Sequence, residues 1–167
     1  MNITCAGVRL GAIALCGVWL VSCVMSPPRL AAQYRVPPQG PTEHAVAHAF
    51  EALVRAYGRQ DWGDVMAVIA DDAQIESTAP DVAGPSGVDA PRILNKDEYG
   101  QSIKPILASI RGYQVEHVTL MTVSPTQVQV SGTVTLLMAG RPSLHRDRLW
   151  VFEKRGERWL VVRAQSL

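Results

Sequence analysis

His145, Arg146, Asp147 and Arg148 form the densest polar cluster in the chain, at the head of a stretch that continues into Trp150 and Phe152. In an extended strand alternate side chains share a face, so His145 and Asp147 point one way and Arg146 and Arg148 the other. A histidine beside a carboxylate suits proton transfer near neutrality. With Glu76 or Asp72 nearby, His145 and Asp147 are therefore the candidate catalytic residues, against the plainer reading of a solvated strand with cross-strand ion pairs. Tyr57, Trp62, Tyr99 and Trp150 are candidates to line a ligand pocket, although aromatic residues at helical or strand spacing are core residues first. Asp71 and Asp72 follow a helical stretch directly, which points to turn and capping roles rather than paired carboxylates or metal ligands. His117, beside Glu116, reads as a partly buried strand histidine. The nucleophile signature Gly-x-Ser-x-Gly, a phosphate-binding loop and His/Cys metal spacings are all missing. No cofactor and no metal are expected.

The clearest chemistry lies at the other end of the chain. All three cysteines, Cys5, Cys16 and Cys23, fall in the first 23 residues. The segment has a short n-region with one cation, Arg9, an apolar stretch over residues 10–21 and small residues before Cys23, the three parts of an export signal. Such a stretch is too short for a bilayer core of ~30 Å, which needs roughly 20 helical residues. The run Leu20, Val21, Ser22, Cys23 resembles the lipobox of bacterial lipoproteins. That resemblance implies removal of residues 1–22 and acylation of Cys23, with palmitate among the chains, and it predicts a protein held on the periplasmic side of the cell envelope. The alternative is an ordinary secretory signal with a cysteine beside it. No cysteine follows position 23, so a disulfide partner is lacking, whereas lipidation needs none. Two or more acyl chains make membrane attachment stable. Val24 stands where an acidic retention residue would sit, and this favours the outer membrane.

Lysine and arginine number 16 against 15 aspartate and glutamate, and losing Arg9 with the signal leaves a neutral balance. Without a basic stripe the phosphate attraction that dominates nucleic-acid binding has no source, and nucleic acid is excluded as the main partner. Residues 23–42 carry Pro27, Pro28, Pro37, Pro38 and Pro41 and read as an extended linker reaching up to ~50 Å. Residues 43–167 suit one domain with a single core.

Within that domain, Val46, Phe50, Leu53, Val54 and Tyr57 mark a helix over 43–57, and Asp61 can cap a second, shorter one. A strand is expected over 73–79 and a loop over 80–92. Asn95 and Glu98 have capping-box spacing at the head of a third helix, in which Pro105 predicts a kink or break. Residues 113–123, 127–139, 144–154 and 158–166 read as antiparallel strands joined by turns. The fold class is α+β, with three N-terminal helices packed on a curved antiparallel sheet. Apolar residues on both faces of the first long strand, Val115 and Met121 against Val118 and Leu120, point to a covered outer sheet face and a homodimer.

The order of these elements, with Gln60-Asp61, Val65 to Ile69, Ala70-Asp71-Asp72-Ala73 and the closing 151–162 segment, resembles the nuclear transport factor 2-like superfamily, especially its SnoaL-like bacterial members. The resemblance spans residues 44–166 and implies a cone-like fold with an apolar pocket at its open end. The superfamily holds steroid isomerases and polyketide cyclases as well as domains without chemistry. Where the isomerases carry an aspartate base this chain has Ser77, and where they carry an oxyanion-binding tyrosine it has Leu53. Their third residue, a protonated aspartate, maps near Asp147. Neither a serine nor a leucine replaces those functions. The resulting expectation is a non-catalytic, lipid-anchored domain that binds a small apolar ligand or an envelope partner. The alternative is a cyclase, hydratase or isomerase of a hydrophobic molecule that uses His145 and Asp147.

Overall fold

The structure, a computed structural model, describes residues 32–77, 91–140 and 142–167. Its elements in chain order are β1 (Ala32–Tyr34), α1 (Gly40–Gly58), α2 (Trp62–Ala67), β2 (Ile69–Ser77), β3 (Arg92–Leu94), α3 (Lys96–Leu107), β4 (Ile110–Ser124), β5 (Gln127–Met138), β6 (Leu144–Arg155) and β7 (Arg158–Ser166). Cys23, the export segment and most of the 80–92 loop lie outside the described residues.

Pro41 sits in the first turn of α1, where its missing N–H has no helical partner to lose. The buried stripe of α1 then runs Val46, Phe50, Leu53, Val54 and Tyr57, matching the expected face. Phe50 meets Trp150 and Phe152 edge-on at ring-centre distances of 5.0 and 6.3 Å, which fastens α1 to β6. Asp61 caps α2 by accepting from the Asp64 backbone N–H. Asn95 and Glu98 form the expected capping box on α3. Pro105 does not break that helix. It lies in the last turn, so the donor it lacks is lost only where α3 is about to end at Leu107.

The seven strands form one sheet in the order β1-β4-β5-β6-β7-β2-β3. Hairpins make β4 to β7 antiparallel, as expected, and β3 pairs antiparallel with β2. The sheet is nonetheless mixed: β1 runs parallel to β4, and β2 parallel to β7. Both pairings join strands distant in sequence, and no local residue pattern encodes them. The helices are not all N-terminal either, since α3 follows β2 and β3. Part of the expected linker is built into the fold, because Ala32–Tyr34 adds to the sheet and the Tyr34 hydroxyl donates to the Ala47 carbonyl at 3.3 Å. The stretch between Cys23 and β1 therefore reaches at most about 30 Å.

One irregularity changes the reading of β4. His117 has φ 55° and sits in a bulge between the Glu116–Thr133 and Thr119–Ser131 pairs. The extra residue resets the alternation, so Val115 and Val118 are both fully buried on the inner face. His117 is consequently exposed rather than partly buried. Gly132 makes room on β5 for this bulge: a Cβ there would lie 2.9 Å from Val115 Cγ1 and 3.1 Å from the Glu116 carbonyl oxygen. β2 starts four residues earlier than expected, which puts Asp71 and Asp72 inside a strand instead of a turn. Asp71 pairs with Lys96 at 2.7 Å, and the ammonium holds its carboxyl below the usual range; Asp72 pairs with Arg155 at 3.0 Å.

Candidate functional site

Between α3, the C-terminal end of α1 and the inner face of β4 to β6 lies a partly open cavity of about 120 Å³. Ile103, Ile106 and Ile110 form one apolar wall, and Val134, Leu136 and Met138 from β5 form the other. Polar groups enter at few points: Tyr57 from α1, Ser77 from β2, Tyr99 and Ser102 from α3, Tyr113 from β4, and Arg146 and Arg148 from β6. A mostly apolar lining with a few convergent polar groups is the usual make-up of a small-molecule site.

Tyr57 and Tyr99 share a hydrogen bond between their hydroxyls. The ring of Tyr57 stacks on Tyr113 with centres 4.4 Å apart and planes inclined by 10°. Burial pushes all three phenols above their ordinary value of 10, partly offset in each by the Arg148 guanidinium. They stay protonated at neutral pH. Arg148 Nη2 donates to the Glu76 carbonyl at 3.0 Å. Deeper in, a second space of about 20 Å³ is bounded by Leu53, Trp150, Val161 and Ala164 together with the three tyrosines and Arg148.

Of the expected pocket residues, Tyr57 and Tyr99 line the cavity, while Trp150 lines only the deeper space. Trp62 lies elsewhere. It is 42% exposed, its indole N–H donates to the Gly100 carbonyl at 3.0 Å, and Lys104 sits 5.5 Å from its ring centre. The catalytic candidates His145 and Asp147 are also outside. Both are exposed on the outer sheet face, where His145 Nδ1 lies 3.0 Å from Thr135 Oγ1 and the Thr133 hydroxyl donates to Asp147 at 2.6 Å. The reason is register. Trp150 and Phe152 are buried inward, so Arg146 and Arg148, four and two residues before Trp150, face inward with them. That parity was readable in the chain and would have singled out the arginines. Tyr113, in step with the inward Val115, carried the same kind of signal. Ser77 and Leu53, the positions where isomerase groups are missing, do face the cavity and its deeper extension.

No protein-family model matches the chain, and no curated protein matches it. Solved structures do. One described as a calcium/calmodulin dependent protein kinase II association domain, from Xanthomonas campestris, is 15% identical with a TM-score of 0.64, covering 82% of this chain and 94% of its own. A nuclear transport factor 2-like protein from Cytophaga hutchinsonii is 14% identical with a TM-score of 0.59, over 76% and 98% of the two chains. One described as a scytalone dehydratase, from Novosphingobium aromaticivorans, is 14% identical with a TM-score of 0.56, over 74% and 83%. The chain therefore has the nuclear transport factor 2-like fold. That fold carries binding domains and enzymes alike, so function has to be argued from the cavity.

Proposed function

We propose that this protein is a lipid-anchored domain of the bacterial envelope that binds a small apolar molecule in its cavity without transforming it. The observation that carries the reading is the lining: apolar walls, hydroxyls and guanidinium groups. Buried phenols with raised pKa, beside guanidinium groups, hold and orient a ligand near neutrality rather than exchange protons with it. His145 and Asp147 lie on the opposite face of the sheet, which removes the support for an enzyme built on that pair. Anchoring rests on the run ending at Cys23. The outer-membrane assignment rests on Val24 alone. Pairing of two copies through the outer sheet face belongs to the same proposal on a narrower footing: the bulge accounts for Val118, and the exposed apolar residues left on β4 are Met121 and Val123.

Expression of the full chain in a Gram-negative host fed labelled palmitate tests both halves. The label is expected on the membrane-bound protein and is lost in Cys23→Ser. Native mass spectrometry of the chain from residue 23 onward carrying Cys23→Ser is expected to show a bound small molecule, displaced when Leu136→Trp is added and the indole fills the cavity. Unlabelled protein refutes the anchor. A ligand-free spectrum, or a bound mass that Leu136→Trp leaves in place, refutes the binding reading.

A further inference from the structure

We infer that the ligand of this cavity is a small apolar acid, one ring or a body of similar size, whose carboxylate is received by Arg148. This rests on the binding reading above and adds the ligand's charge. Arg148 lies on the inner face of β6 and bounds both the cavity and its deeper extension. Its one protein acceptor among the described residues is the Glu76 carbonyl. The Nε atom is buried with no acceptor. Directly across on β7, in register with Arg148, Ser166 has a buried hydroxyl oxygen that also lacks a partner. No described carboxylate forms an ion pair with Arg148, and no described aspartate, glutamate or histidine lines the cavity.

The half-buried guanidinium has no counter-charge among the described residues, and its buried Nε, left without an acceptor there, carries a desolvation cost. A carboxylate removes both penalties, because its two oxygens match the planar fork of N–H groups. The surroundings favour the same sign of ligand. The hydroxyls of the three protonated phenols line the same cavity and can donate to an anion. Size narrows the choice further. An apolar cavity of ~150 Å³ accepts benzene, so about 120 Å³ beside Arg148 suits a single ring with its acid group, the partly open mouth leaving room for a substituent.

The test compares benzoate and phenylacetate with benzamide and phenylacetamide, pairs of equal shape that differ in charge. Binding is measured by titration calorimetry on the chain from residue 23 onward carrying Cys23→Ser. The acids are expected to bind about tenfold or more tightly than their amides. Arg148→Met should lower acid binding far more than amide binding and bring acids and amides to within about twofold of each other. Acid and amide binding within about twofold of each other, as when water satisfies the guanidinium, overturns the inference and leaves the apolar-ligand reading standing. Failure of all four to bind also overturns the inference, while the native mass spectrum decides the binding reading separately. If Arg148→Met does not fold, the acid and amide comparison in the unsubstituted cavity still decides the matter.

Discussion

Three of the four tyrosines converge on the cavity, and the fourth, Tyr34, packs against α1. All four are raised above 10: burial is the main cause throughout, and Glu51 adds to it at Tyr34. A raised phenol means that the folded state holds its proton where the unfolded chain releases it. The associated stability is complete below pH 10 and is lost as pH climbs through the folded-state values. Tyrosinate absorbance should accordingly be absent from the folded protein at pH 10 and appear together with loss of circular dichroism in one alkaline transition. A tyrosine titrating near pH 10 while the fold stays intact would contradict the burial described for it. Single residues were unevenly legible in the chain. Tyr57 and Tyr99 each lie on the apolar stripe of their helix, and both line the cavity. Trp62 also lies on such a stripe, yet it covers α3 from outside, and spacing along one helix does not reveal which neighbour that helix meets.

Among the elements, β4 and β5 carry the part of the architecture most exposed to a single substitution. The bulge at His117 needs close approach of β5, and Gly132 permits it. In Gly132→Ala the new methyl meets Val115 Cγ1 and the Glu116 carbonyl oxygen at 2.9 and 3.1 Å. The side chain can turn a little, but the ladder fixes the carbonyl. The expected loss is about 1–3 kcal/mol in chemical denaturation. A variant as stable as the parent would show that the bulge adjusts freely. The caps of α2 and α3 and the limits of β5 to β7 were legible to within a residue, whereas β2 and β4 start four and three residues before the expected strands. The Asn95–Glu98 box acts across three positions, and the alternation of β5 is a property of consecutive residues.

For the molecule as a whole, the outer sheet face and the short distance between Cys23 and β1 bear on the proposed dimer and the proposed anchor. That face is mostly threonine, serine and glutamine along β5, with Met121 55% and Val123 50% exposed beside it on β4. If two copies pair there, the Cys23→Ser protein should sediment with the mass of a dimer at high concentration, and Met121→Lys should shift it to monomer. A monomer throughout removes the homodimer. With Cys23 as the proposed anchor, the stretch before β1 would hold the domain within about 30 Å of the lipid, rather than at the end of the longer arm expected from the prolines alone.

The amino-acid sequence by itself determined the number and order of the helices and long strands, their caps and turns, and the class of fold, since each of these is written in residues a few positions apart. Only the tertiary structure decided the parallel pairings of β1 and β2 and the bulge that turns Val115 and Val118 the same way. It also decided that Tyr57 and Tyr99, 42 residues apart, would share a hydrogen bond beside Arg148. Those outcomes depend on which distant surfaces bury one another, and a side chain becomes a wall of the cavity only when the opposite wall has been folded against it.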